Sequence, residues 1–242
     1  MSKFQIYPAI DLRGGKCVRL FQGDYSQETV YGDSPVDMAK KFADAGAEWL
    51  HMVDLDGAKE GQRVNDGVVI DAAKLGLKVQ VGGGIRTRED IAHYLDNGIS
   101  RVIIGSLAIR EPEMVVGFIE EFGADRIVIG IDAKDGLAAT EGWTETSVQP
   151  ASEVARFFVS KGARHFIYTD IATDGTLAGP NIEANQQLVE NGTAEVIVSG
   201  GIGSLDDVQN VKAAAGNSAI KGVIIGKALY EKRFSLEEAL SC

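Results

Sequence analysis

The chain has 242 residues, close to the ~250 of a closed α/β barrel, and its 24 basic against 35 acidic side chains leave a net charge of −11. With no basic run, that balance excludes the electrostatic footprint of a nucleic-acid binder, and any anionic ligand must be held by local backbone N–H groups and a few placed cations. No apolar run approaches ~18 residues, and the N-terminus MSKFQIYPAID lacks a charged-then-apolar leader, so neither a membrane span nor secretion is expected. Cys17 and Cys242 make no disulfide framework, which fits a reduced, cytoplasmic setting.

In chain order the apolar runs are FQIYPAID (4–11), WLHMVD (49–54), LKVQV (77–81), VIIG (102–105), IVIGID (127–132), HFIYTD (165–170), VIVSG (196–200) and GVIIG (222–226). Most are continuously apolar, as parallel strands covered on both faces are. Between them, Gly46, Gly76, Gly98, Gly123, Gly162, Gly192 and Gly216 each close a polar, helix-like segment, where helix C′ residues belong. Ser34-Pro35 and Gly179-Pro180 place Pro near a first helical turn. Thr87 with Asp90 and Ser204 with Asp207 have capping-box spacing.

Three features recur at nearly constant spacing. Asp132 ends its run 121 residues after Asp11 does, VSGGIG (198–203) follows VGGGIR (81–86) by 117, and VIIGK (223–227) follows VIIGS (102–106) by 121. Such self-similarity marks a duplication. Eight alternating strand and helix units in two equal halves predict a single (β/α)8 TIM barrel with a twofold internal half-barrel repeat. An open flavodoxin-like sheet would leave the duplication unused. No linker or low-complexity stretch divides the chain, so one domain is expected, with half-barrels at about 1–123 and 124–242.

The site of such a barrel lies in the loops after its strands. Two are long, roughly 12–34 and 133–149, and are candidate lids; that at 171–180 is intermediate. Asp11 and Asp132, from facing strands, would reach into the mouth from opposite sides, as proton removal and proton donation on one substrate require. Asp54 and Asp170 also end strands, and either could serve only to bind loop N–H groups. The glycine turns, with Gly83, Gly84, Gly105 and Ser106 in one half and Gly200, Gly201, Gly226 and Lys227 in the other, let backbone N–H groups approach an anion at a helix start. Two opposed anion sites imply a long ligand with a phosphate at each end, its middle between the two carboxylates.

His51, His93 and His165 show no HxH or HxxxH spacing, so no catalytic metal is expected. His93 is read as a helix-surface residue, and His165 as lying at the strand end away from the site. No Lys ends a barrel strand, which argues against Schiff-base chemistry. Trp143, in EGWTETS, could stack on a heteroaromatic ring. Trp49 is read as core, and Cys17 as incidental.

The segments PAIDLRGGKCVRLFQGDY (8–25), VDLDGAKEG (53–61), QVGGGIR (80–86), VIIGSLA (102–108), IGIDAKDG (129–136), GWTETS (142–147), YTDIATDGTLAGPN (168–181) and SGGIG (199–203) resemble the phosphoribosylformimino-aminoimidazole-carboxamide ribotide isomerase family of histidine biosynthesis. The resemblance covers the whole chain. It implies a cofactor-free Amadori rearrangement of a bisphosphorylated ribosylamine to its ribulosyl form, with Asp11 as base and Asp132 as acid. It adds Thr169 and Asp174 as functionally sensitive positions, Asp174 being a second candidate acid, and places Gly175 beside them in substrate binding. Arg19 and Trp143 match substrate-contacting positions, with Arg19 as a phosphate clamp. Whichever Asp is the acid should have its pKa raised by burial or a neighbouring carboxylate.

Three competing readings differ in class or scope. The cyclase of the same pathway begins with a Cys-Leu-Asp-Val type of segment and has Lys where this chain has Arg19, so it is disfavoured. Dual activity on phosphoribosylanthranilate needs the same chemistry on a smaller substrate. A silent phosphosugar-binding barrel would gain nothing from two carboxylates facing an anionic ligand. The only expected partner is the small-molecule substrate, with no nucleic acid and no membrane, and the expected state is a monomer.

Overall fold

The computed structural model describes residues 3–140 and 145–242. In chain order its strands are β1 (Gln5–Arg13), β2 (Lys16–Phe21), β3 (Asp24–Gly32), β4 (Trp49–Asp54), β5 (Lys78–Gly82), β6 (Arg101–Ile104), β7 (Ile127–Lys134), β8 (Leu137–Thr140), β9 (Glu145–Pro150), β10 (His165–Asp170), β11 (Glu195–Ser199) and β12 (Ile220–Ile225). Strands β1, β4, β5, β6, β7, β10, β11 and β12 pair in parallel in that order, and β12 returns to β1. The ring is closed, with helices between successive barrel strands. This is the (β/α)8 barrel that the continuously apolar runs predict.

Side chains alternate between two apolar regions, as a strand covered on both faces requires. Tyr7, Ala9, Trp49, Val128, Ile167, Ile197 and Ile224 fill the barrel interior. Their neighbours, such as Ile10, Leu50, Ile129 and Phe166, pack outward against the helices. Trp49 is thus core, as expected, with the Arg101 guanidinium 4.4 Å from its ring centroid.

The helix starts follow local chemistry. Ser34 accepts from Asp37 N and Pro35 opens the helix Pro35–Asp44. Thr87 with Asp90 and Ser204 with Asp207 form reciprocal capping boxes on Arg88–Asp96 and Leu205–Ala215. Pro180 differs from expectation. The helix there is Ile182–Gln187 with Asn181 as its N-cap, so Pro180 precedes the cap, because the Asn181 side chain takes the Ala184 N–H. Gly216 also departs, at φ −60 in the right-handed region, whereas Gly46, Gly76, Gly98, Gly123, Gly162 and Gly192 have φ between 85 and 97.

The two presumed lid loops are antiparallel ribbons instead. β1 runs past the barrel mouth to Arg13, turns at Gly14-Gly15 and pairs with β2, which pairs with β3. β7 likewise runs to Lys134, turns at Asp135-Gly136 and pairs with β8, which pairs with β9. All four turn residues have positive φ, at 54, 74, 52 and 77, the pattern that matches strand twist in two-residue hairpins. Among the described residues, no helix is long and apolar enough to cross a membrane.

Candidate functional site

The strand ends and the β2–β3 ribbon enclose a cavity of about 310 Å³ at the barrel mouth. Asp11, Asp132, Thr169, Asp174 and Arg19 line it. So do both glycine sets, Gly83, Gly84, Gly105 and Ser106 with Gly175, Gly200, Gly201, Gly226 and Lys227. Of the residues singled out from sequence, Trp143 lies outside the described residues.

The two glycine turns repeat one geometry. Gly83 and Gly201 have φ 99 and 88, and a Cβ would fall 2.1 Å from Asp54 O and 2.2 Å from Gly179 O. Only glycine fits either place. Gly105 (φ −98, ψ −101) and Gly226 (φ −112, ψ −96) cap the short helices Ser106–Arg110 and Lys227–Tyr230, and neither receives a side-chain cap bond. Both helix starts, Gly105-Ser106 and Gly226-Lys227, line the cavity.

Arg19 connects one of these turns to a carboxylate. Its Nη1 donates to Asp11 Oδ2 at 2.8 Å and its Nη2 to Ala9 O at 3.1 Å, while the guanidinium covers the α-carbon of Gly226 and lies 5.5 Å from the Tyr230 ring centroid. β2 delivers it there, because Asp11 pairs with Val18 in the antiparallel register. The arginine expected as a phosphate clamp thus stands between the Gly226 turn and Asp11.

Burial raises the Asp11 carboxyl above its ordinary range, opposed by Arg19. Asp174 is pushed up to about 6, chiefly by burial, with Arg19 opposing and the Asp11 and Asp132 charges adding. Thr169 stands opposite Asp132 and Ser199 in the strand register, so its side chain shares their layer of the mouth. The β2–β3 turn reaches across this group, where Gln22 Nε2 donates to Ala172 O at 3.1 Å, and Lys227 Nζ donates to Gly175 O at 2.9 Å.

Asp54 and Asp170 are anchors outside the cavity. Asp54 is fully buried and accepts from the N–H groups of Gly57, Val64 and Asn65 and from Asn65 Nδ2. Asp170 accepts from Ala172 N and Asn181 Nδ2. In each half an Asn eleven positions on closes the loop and begins the next helix.

Cys17 is fully buried, and burial pushes its thiol up to about 11, which makes it a poor nucleophile. His93 is a partner of Asp66 on the helix surface, and His165 is buried at the far end of β10 beside Arg101. Among the described residues, no group of three or more His, Cys, Asp or Glu is placed to hold a metal ion.

Arg86, Tyr25, His51 and Ser199 also line the cavity and were not picked out from sequence. Arg86 and Ser199 lie within the glycine motifs, which was a usable signal. His51 alternates with Trp49 and Val53 toward the barrel interior, so strand periodicity could have placed it.

A family model described as histidine biosynthesis protein matches residues 5–235. The chain is 61% identical over 241 residues to the 1-(5-phosphoribosyl)-5-((5-phosphoribosylamino)methylideneamino) imidazole-4-carboxamide isomerase of Geobacillus kaustophilus, covering 99% of this chain and 98% of that one. It is 53% identical over 243 residues to the protein of the same name from Bacillus subtilis, again covering 99% and 98%.

Proposed function

The chain belongs to the histidine biosynthesis protein family, and from that membership we propose that it is the isomerase its relatives are named for, converting the bisphosphorylated ribosylamine to its ribulosyl form. One observation carries the reading: Asp11, Asp132 and Asp174 share one cavity with two matched glycine turns. The turns hold the terminal phosphates through backbone N–H groups, and the sugar between them lies among the carboxylates.

In this reading an acid protonates the furanose ring oxygen, and the C1′–O bond opens to a protonated imine. Asp11 then removes the C2′ proton. The C–H electron pair forms the C1′=C2′ bond, and the imine pair moves to nitrogen. The enolamine loses its O2′ proton as C1′ gains one, giving the ketone. The protonated imine is the electron sink, so no cofactor is required.

Asp174 is the acid we favour. Held near pH 6 by burial and by its carboxylate neighbours, it keeps a protonated fraction of about one tenth at pH 7. Asp132 contributes by raising Asp174 and by contacting the sugar, and Thr169 supplies a hydroxyl in the same layer. Arg19 serves the Asp11 carboxylate and the adjacent phosphate together. We further read the chain as one domain of two half-barrels, monomeric and cytoplasmic; the matched Asp54–Asn65 and Asp170–Asn181 clamps support the duplication.

The test is turnover of the bisphosphorylated aminoaldose by purified protein and by Asp11→Asn, Asp132→Asn and Asp174→Asn. Loss of kcat by about 10²-fold or more in Asp11→Asn and Asp174→Asn is expected. Full activity in Asp174→Asn would transfer the acid role to Asp132.

A further inference from the structure

His51, on the floor of the cavity, has no part in the scheme above. It sits on β4 opposite Ala9 of β1, while Asp11 stands opposite Val53. The imidazole is therefore one pleat below Asp11, with Ala9 beside it on β1. Gln80 is opposite His51 on β5, is wholly buried, and brings its Nε2 to 3.1 Å from His51 Nδ1. With the Gln80 amide nitrogen facing the ring, Nδ1 is the acceptor and the proton of the neutral imidazole falls on Nε2.

As a stabilising device the pair is poor. It makes one hydrogen bond and leaves Gln80 Oε1 buried without a partner, where an apolar pair of similar shape would fill the space at less cost. Its geometry does accomplish one thing, which is to present a donor of fixed tautomer to the cavity. Burial, aided by the Arg19 charge, pushes the imidazole down to about 3, so the ring is a neutral donor across the physiological range.

We propose that His51 is a catalytic residue, its Nε2–H donating to the C2′ oxygen of the sugar, and that Gln80 is the positioning residue that fixes its tautomer. This rests on the isomerase reading. In the last step the O2′–H electron pair becomes part of the C2′=O bond as C1′ is protonated, and negative charge grows on O2′ in a mouth lined by three carboxyl groups. Arg19 is engaged by Asp11 and Ala9. A preorganised neutral donor below the base meets that charge without titrating in the working range.

The experiment pairs kinetics on the bisphosphorylated aminoaldose with ¹⁵N NMR of the imidazole. The parent should show protonated Nε2 and bare Nδ1, unchanged from pH 5 to 8. His51→Phe should lower kcat by about 10²-fold with little change in KM. Gln80→Glu, which when ionised, at the upper end of that pH range, sets only acceptors against Nδ1, should there move the ring proton to Nδ1 and lower kcat similarly, and Gln80→Leu should lower kcat less. An Nδ1–H tautomer in the parent, or parent-level kcat in either His51→Phe or Gln80→Glu, overturns the proposal and leaves the isomerase reading standing. A parent with no turnover overturns the isomerase reading itself, and this proposal with it.

Discussion

Arg19 Nη1 lies 2.8 Å from Asp11 Oδ2, in a pair whose side chains keep only 16% and 14% of their surface exposed. Burial pushes the Asp11 carboxyl up, and the guanidinium beside it counters that pressure. The ribbon that covers the cavity therefore also sets the ionisation of the residue beneath it.

Replacing Arg19 by Ala removes the opposite charge and leaves the desolvation, so the Asp11 carboxyl rises further. The acid limb of the pH profile for kcat/KM should move to higher pH, with activity at pH 7 lower by about 10²-fold. Arg19→Lys should recover part of the charge effect but not the second contact to Ala9 O. An unmoved acid limb in Arg19→Ala would show that the pair does not tune the base.

Asp174 carries a stability cost. Its folded pKa, about 6, is above the ordinary 3.8, so between those values the folded state binds more protons than the unfolded one. Stability from this group is present below about pH 4 and is lost as pH rises through 6. Asp174→Asn should therefore raise Tm at pH 7.5 by about 3 °C or more, with little gain at pH 4, while kcat falls. Thermal unfolding at the two pH values checks the sign.

Gly83→Ala and Gly201→Ala each place a methyl into a backbone carbonyl, 2.1 Å from Asp54 O and 2.2 Å from Gly179 O, at positive φ. Each should cost about 2–4 kcal/mol in urea unfolding. In the folded fraction, KM should rise more than kcat falls, because the displaced turn is the proposed phosphate site and not the acid or base.

Asp54→Ala should behave in the opposite way to an active-site change. It strips the acceptor from three backbone N–H groups and the Asn65 amide, a loss of about 3–5 kcal/mol. At temperatures where the variant stays folded, kcat should remain within about threefold of the parent, since Asp54 does not line the cavity. A hundredfold fall in kcat with unchanged stability would place Asp54 in the chemistry.

These cases mark what the sequence could reveal. The barrel strands and the glycine turns were legible because each signal is local: an apolar run of strand length, or glycine at a turn that no side chain fits. The ribbons were also written locally, in Gly14-Gly15 and Asp135-Gly136, but those pairs read as loop flexibility unless taken as hairpin turns. Arg19 against Asp11 could not be read, since it depends on the antiparallel register between β1 and β2. Asp54 and Asp170 look like Asp11 and Asp132 in sequence, and differ only in the Asn that folds back onto each. The raised pKa of Asp174 comes chiefly from burial, with the carboxylates on β1 and β7 adding, and both arise only in the closed ring.

The most direct measurement is isomerisation of the bisphosphorylated aminoaldose by the purified protein in the presence of a chelator, with Asp11→Asn alongside. Rapid turnover that the chelator leaves intact and Asp11→Asn reduces by about 10²-fold or more is the predicted result. Tight substrate binding by the parent without turnover, or equal turnover in Asp11→Asn, would contradict it.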